Sequence, residues 1–424
     1  MCQQRRVAAK TKPLVTGAGS SSAAETKPPR GAADTTEGQP TGTNPKRGVT
    51  FKLKDIEKFP PRGVFKDGKV TVIKHDEYPM APDAGLVLEP GKIPRGYKPP
   101  KKGKVMKRRL RMRIWGTLRC HPVTHQSASV LTERGSRDLA TQVRFSTFYK
   151  DAVKAAGQSV PAGRVINPAK VEQMMGLPTN WTSTSAPVTI PPYLLPKPSD
   201  HRLEAVCFFA GCGGLTLGTE FVFKNVAYVE KYPAAIKMLE SRMKDGHISK
   251  APIYYDVEMF DVTKYKKKWH KGGFPCQGIA IPGKKRGLQD PRTRLVASLL
   301  KHNEDGEARG CLLENVDGIR AVEMKPVMEF ILNHYQRTGF TVRMISLMGR
   351  HAGARQCRRR WFALAYRDVT DLQELSAAVG PLDIAEWREA VKAPFNPQAE
   401  IGTLDWLMPE YKEDTKERLH VGCT

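Results

Sequence analysis

Cys276, set directly after a proline within Gly272-Gly273-Phe274-Pro275-Cys276-Gln277-Gly278, has the surroundings of a nucleophile. Core cysteines sit mid-strand or mid-helix among apolar neighbours. Here glycines and a proline come before the thiol and Gln277-Gly278 after it, so a loop presents it. Such a cysteine is either incidental or reactive, and the local residues alone leave both open. Upstream, Phe208-Phe209-Ala210-Gly211-Cys212-Gly213-Gly214-Leu215 runs from an apolar strand into glycines. Glycines there let the backbone turn tightly and leave room for a ligand against it. Glu230 follows the apolar run Val226 to Val229, where an acid suits either a ribose hydroxyl pair or the N-terminus of the next helix. Downstream, Leu313-Glu314-Asn315-Val316 is an apolar strand with polar residues at its end. Gln356-Cys357-Arg358-Arg359-Arg360 reads as a basic surface or as a functional pair, since alternation places Arg358 and Arg360 on one face.

Four stretches of these types, in this order over about residues 203–367, resemble the DNA cytosine-5 methyltransferase family. Each alone is weakly specific; together they are highly specific. The resemblance implies S-adenosylmethionine as cofactor, with Phe209, Ala210, Gly211, Cys212, Gly213, Gly214 and Pro275 around it and Glu230 on the ribose. Asp256 or Asp261 would meet the adenine amine, and Asp256 is preferred because it follows a strand directly. It further implies Cys276 as the nucleophile on C6 of cytosine, Glu314 as the acid at N3 and Arg358 as the cation on the base. Arg360 would brace the loop or a phosphate, and Asn315 would orient Pro275 and Glu314. This chemistry needs the base outside the duplex, so DNA with a flipped cytosine is the implied partner. Three departures stand out. Cys207 replaces the family's acid before Phe-Ala-Gly, Ala280 replaces a serine, and the C-terminal Gly-Asn motif is not visible.

The elements that must position these residues alternate strand and helix. Ala205 to Phe209, Val226 to Val229, Ile253 to Tyr255, Cys311 to Leu313, Thr341 to Leu347 and Trp361 to Tyr366 read as strands. Tyr232, Ile236, Leu239 and Met243 line one face of a helix, and Lys266 to Lys271 make an unusually charged fourth strand. The pattern predicts an α/β, Rossmann-like sheet with ligands at the carboxyl ends of its strands, plus a smaller irregular N-terminal region.

Residues 1–50 are polar and small, a disordered tail, and 51–113 a basic, loosely structured linker. Its end, residues 101–113, holds eight Lys or Arg in thirteen positions, which suits a solvated linker, nuclear import or phosphate contact. Residues 114–182 close on Asn167-Pro168, a short helix and Met175-Gly176-Leu177-Pro178-Thr179-Asn180-Trp181. This is similar to the target-recognition region of some phage and bacterial cytosine methyltransferases, though Val171, Met174 and Met175 also suit an ordinary amphipathic helix. Residues 183–202 are a Pro-rich linker, 203–370 the catalytic domain, and 371–424 a C-terminal region ending about where the Gly-Asn motif should start.

Lys+Arg outnumber Asp+Glu by 69 to 43, a net charge of +26 that favours an anionic partner such as nucleic acid. Eight irregularly spaced cysteines form neither a disulfide framework nor a zinc signature, so no metal is expected. No apolar run is long enough to span a membrane. The expected location is the nucleus in a eukaryote and otherwise the cytoplasm, with a basic, Ser/Thr/Ala-rich N-terminus that also suits organelle transit. Two further readings stand beside the enzyme: a catalytically impaired DNA-binding relic, and an RNA cytosine-5 methyltransferase of the same fold. A nicotinamide dehydrogenase gives no role to Cys276 or Glu314.

Overall fold

A computed structural model describes residues 49–73, 153–155, 157, 165–188, 190, 201–279, 286–349, 359–380 and 407–408. The centre is a run of parallel strands. They are β5 (Leu203–Phe208), β6 (Phe223–Val229), β7 (Ile253–Tyr254), β8 (Trp269–Gly273) and β9 (Gly310–Val316). Two antiparallel strands continue the sheet beyond β9: β11 (Arg359–Tyr366) and then β10 (Thr341–Met348). Helices α2 (Gly214–Thr219), α3 (Pro233–Lys244), α4 (Pro291–Asp305), α5 (Lys325–Arg337) and α6 (Val369–Val379) connect or follow them. The parallel order β7-β6-β5-β8-β9 reverses direction on the two sides of β5. This makes β5 and β8 the switch point, where crossovers leave a crevice outside the strand ends.

Apolar runs decide the strands. β5 buries four consecutive residues, Ala205, Val206, Cys207 and Phe208, as a strand covered on both faces must. On one face Phe208 joins Val296, Leu299, Leu313, Val327, Ile331 and Trp361; on the other Cys207 joins Leu239, Met238 and Trp181. The fourth strand starts later than the charge run suggested. Lys266 and Lys268 lie before β8 and pair with Glu307 and Glu204, and of the lysines in this run only Lys271 is a buried strand residue, donating to Thr219 Oγ1 at 2.7 Å. The helix after Glu230 buries Leu239 and Met243 of the expected face and leaves Ile236 half-buried. Ala235, Met238, Leu239, Arg242 and Met243 are buried, whereas Tyr232 is the exposed residue preceding the helix.

The largest difference from the sequence reading lies at residues 50–72, expected to be loosely structured. Strands β1 (Thr50–Lys52), β2 (Arg62–Lys66) and β3 (Lys69–Val72) extend the sheet beyond β10, giving the order β1-β3-β2-β10-β11-β9-β8-β5-β6-β7. Phe59, Phe65 and Val70 enter the main core. The strands are short and broken by prolines and a turn at Asp67-Gly68, so they lack a strong period of their own. The β10 edge supplies the missing pairing, with Phe65 opposite Val342 and Gly63 opposite Met344. A hairpin gains stability from such a third strand.

In the segment read as recognition-like, Asn167 caps helix α1 (Pro168–Met175) by accepting from the Ala169 amide, and Gly176 ends it at φ 78°. Strand β4 (Val165–Ile166) pairs antiparallel with β12 (Leu407–Met408). The basic run 101–113 and most of 114–164 lie outside the described residues.

Candidate active site

The glycine loop leaves β5 with Phe209 at φ 52°, a left-handed conformation unusual for a bulky residue, followed by Gly211 at 55° and Gly213 at 80°. Such strain persists only where the surroundings hold it. The Gly211 amide donates to Glu230 Oε2 at 2.7 Å, and the Tyr232 amide donates to Glu230 Oε1 at 2.7 Å. Glu230 therefore shapes the loop across the strand ends, and each oxygen keeps a lone pair for a further donor. A Cβ on Gly211 would meet nothing within 4 Å, whereas one on Gly213 would stand 3.1 Å from Leu239. One side of the loop is open and the other is closed by packing. Ala210 and Cys212 are buried, and burial pushes the Cys212 thiol up to about 11. Gly214 opens α2.

The two aspartates are used differently. Asp256 follows β7 and binds Lys231 at 2.8 Å and the Glu258 amide at 2.9 Å; hydrogen bonding to Lys231 holds its carboxyl below the usual range. Lys231 adjoins Glu230, so the pair sits beside the acid expected at the ribose, and sequence reasoning missed it. Asp261 instead caps the short turn Val262–Tyr265 by accepting from Thr263, and its side chain is 51% exposed. Cys207 is buried with its sulfur 3.4 Å from Thr216 Oγ1, and burial raises its pKa.

Cys276 lies beyond the end of β8, half-buried, in a turn closed by the Ile279 amide on the Cys276 carbonyl at 2.9 Å. Among the described residues the other cysteines, Cys207, Cys212 and Cys311, are buried. Gly278 cannot be replaced cheaply, since a Cβ would come within 2.4 Å of Thr293 Oγ1 and 2.7 Å of Asp290 Cβ. Asn315 fixes the loop from the neighbouring strand. Its Nδ2 donates to the Phe274 carbonyl at 2.9 Å, and its Oδ1 accepts from the Val316 amide at 2.8 Å. Pro275 is held between these anchors. Arg292, which clasps Asp290 through two bonds of 3.0 and 2.8 Å, lies close enough to Cys276 to interact with it electrostatically. Nothing in the motif pattern had singled Arg292 out.

Glu314 stands opposite Gly273 in the β8–β9 register, and its carboxylate would lie 2.9 Å from a Cβ there. Glycine at 273 leaves room for the acid beside the chain that leads to Cys276. Arg360, on β11, donates from Nε to Glu314 Oε1 at 2.8 Å. The arginine expected to brace a loop or a phosphate thus holds the acid. Arg358 and Ala280 lie outside the described residues. Charged hydrogen bonds of this geometry orient a carboxyl strongly. Among the described residues no cluster of His, Cys, Asp and Glu could hold a metal ion.

A loop cysteine, an arginine-held acid and a glycine loop tied to the acid at the tip of the neighbouring strand thus lie at the carboxyl ends of one parallel sheet. The chain belongs to the C-5 cytosine-specific DNA methylase family, whose model matches residues 203–421, just over half of it. Similar proteins include the type II methyltransferase M.CviJI of Paramecium bursaria Chlorella virus IL3A, 25% identical over 40% of this chain and 45% of its own length. Another is the type II methyltransferase M.Eco47II of Escherichia coli, 31% identical over 34% of this chain and 35% of its own. A solved structure of the S. pombe Dnmt2 methyltransferase aligns with a TM-score of 0.32 and 19% identity over 39% of this chain and 51% of that one. The chain spans about half or less of the length of these relatives.

Proposed function

We propose that the chain transfers a methyl group to C5 of cytosine in DNA, using S-adenosylmethionine. The observation that carries this reading is the juxtaposition of Glu314, held by Arg360, with the strand that delivers Cys276. The glycine loop fits the cofactor: it is open at Gly211, and Glu230 keeps acceptor sites free for ribose hydroxyls while bound to the Gly211 amide. Asp256 would take the adenine amine, and Phe209 and Pro275 would flank the methionine end. The bound cofactor supplies an electrophilic methyl group.

The residues of the chain prepare the base. Cytosine C5 is a poor nucleophile until a thiolate adds to C6. The Cys276 sulfur forms that bond, and Glu314 delivers a proton to N3, so the ring carries an enamine whose C5 takes the methyl. Loss of the C5 proton, elimination of Cys276 and return of the N3 proton to Glu314 then restore the neutral aromatic ring. Arg360 keeps the Glu314 carboxyl aimed, and Asn315 keeps the Cys276 loop against β9. A base within a duplex cannot reach this site, so the cytosine must flip out.

The test is tritiated methyl transfer to duplex DNA, single-stranded DNA and tRNA in parallel, with DNA carrying 5-fluorocytosine as a trap. Transfer to duplex DNA and a covalent adduct with wild type but not with Cys276→Ser are expected. Transfer to tRNA alone would move the reading to RNA. A Cys276→Ala protein that still methylates would refute the mechanism.

A further inference from the structure

We infer that Trp181 is a positioning residue for the cofactor loop, and that residues 167–183, which precede the family-matched region, complete the cofactor site from behind. The inference rests on the cofactor reading of the glycine loop. Trp181 is 0% exposed, and its indole Nε1 donates to the Cys212 carbonyl at 2.7 Å. Its ring also stands behind the next residue, 3.7 Å from the position of a Cβ on Gly213. The indole therefore fixes the direction of the peptide joining Cys212 to Gly213, inside the loop whose amides and open face would meet the ligand.

The segment is built to hold that indole still. The Glu172 carboxylate on α1 receives the Asn180 amide at 2.7 Å and the Thr182 amide at 2.9 Å, as well as the Thr182 hydroxyl. Arg242 on α3 donates to the Asn180 and Trp181 carbonyls at 3.0 and 2.7 Å, and its guanidinium lies 5.6 Å from the ring. Trp181 is thus clasped on both sides by backbone contacts, and its one polar atom is spent on the loop. α3 follows the strand that ends in Glu230, so the Arg242 tie joins the segment to the same side of the site. A purely structural tryptophan would need the packing but not an indole bond to a ligand-binding loop.

Trp181→Phe keeps a six-membered aromatic ring and removes the indole donor with the five-membered ring that carries it. Cofactor binding by calorimetry, with S-adenosylhomocysteine as probe, is expected to weaken about two- to ten-fold, the effect of one neutral hydrogen bond. DNA affinity and the rate of methyl transfer at saturating cofactor should stay near wild type. Hydrogen exchange on the wild-type protein gives a second reading that does not depend on the variant folding. On adding S-adenosylhomocysteine, residues 177–184 and 210–216 should gain protection together. Wild type that binds no S-adenosylhomocysteine would overturn the cofactor reading itself. Wild type that binds while Trp181→Phe binds equally well, or protection confined to 210–216, would overturn the role of Trp181.

Discussion

Asn315 links the stability of the fold to the placement of the nucleophile, and the two effects can be separated. Its amide donates to Phe274 O and its carbonyl accepts from Val316 N, with the side chain 1% exposed. Asn315→Asp is nearly isosteric and keeps the acceptor for Val316, but turns the donor into an acceptor facing the Phe274 carbonyl. Asn315→Ala loses both bonds. Each net hydrogen bond is worth about 1 kcal/mol, and each buried group left unpaired costs about 1–3 kcal/mol. Asn315→Ala should therefore lose about 2–4 kcal/mol in urea unfolding. Both variants should release the Phe274-Pro275-Cys276 loop from β9. A displacement near 1 Å at the reacting sulfur costs about 10²-fold in rate. Single-turnover methyl transfer and 5-fluorocytosine trapping should fall by that order in both, while cofactor affinity changes little. Variants that lose stability yet trap 5-fluorocytosine at the wild-type rate would show that Asn315 only braces the strand, and would refute its role in aiming Cys276.

Glu314→Gln should lower turnover about 10²–10⁴-fold, the range for a lost general acid, with cofactor affinity little changed; equal losses in both would make Glu314 structural. Gly213→Val should abolish cofactor binding by calorimetry, because φ 80° and a Cβ 3.1 Å from Leu239 are both hostile to a side chain. Glu230→Ala should weaken binding by about 1.5–3 kcal/mol, as for a charged hydrogen bond, and tight NAD binding by wild type would overturn the cofactor assignment. Burial lowers His270 from 6.5 to about 4 while its Nδ1 stays 2.7 Å from Asn303 Oδ1. The unfolded chain takes up this proton below about pH 6.5 and the folded one only below about 4, so stability is full above pH 6.5 and falls by about 3 kcal/mol down to pH 4. Urea midpoints across that window should fall in wild type and fall less in His270→Gln; parallel curves would refute the assignment. If the basic run 101–113 touches phosphate, deleting 1–113 should weaken DNA binding on all sequences alike, and each lost contact should reduce the log–log salt slope by about 0.9.

Local runs carried much of this protein's plan. Most of the parallel strands are contiguous apolar segments, Glu230 follows directly on one, Cys276 lies just beyond another and Glu314 lies near the end of a third, so a doubly wound sheet brings them to one end whatever its details. Glycine at 211 and 213 was legible for the same reason, since backbone turns are local. Pairings across long stretches of chain were not. Residues 50–72 become strands only because β10 offers an edge, nearly three hundred residues away in sequence. Lys231 meets Asp256 across two strand ends, a pairing that no local run of residues shows. Arg360 reaches Glu314 because β11 runs antiparallel to β9 in one register, and a shift of one residue would have turned it to the other face. Trp181 closes the back of the glycine loop, a contact no local pattern shows, because the burial of an indole is decided by whichever surface folds against it.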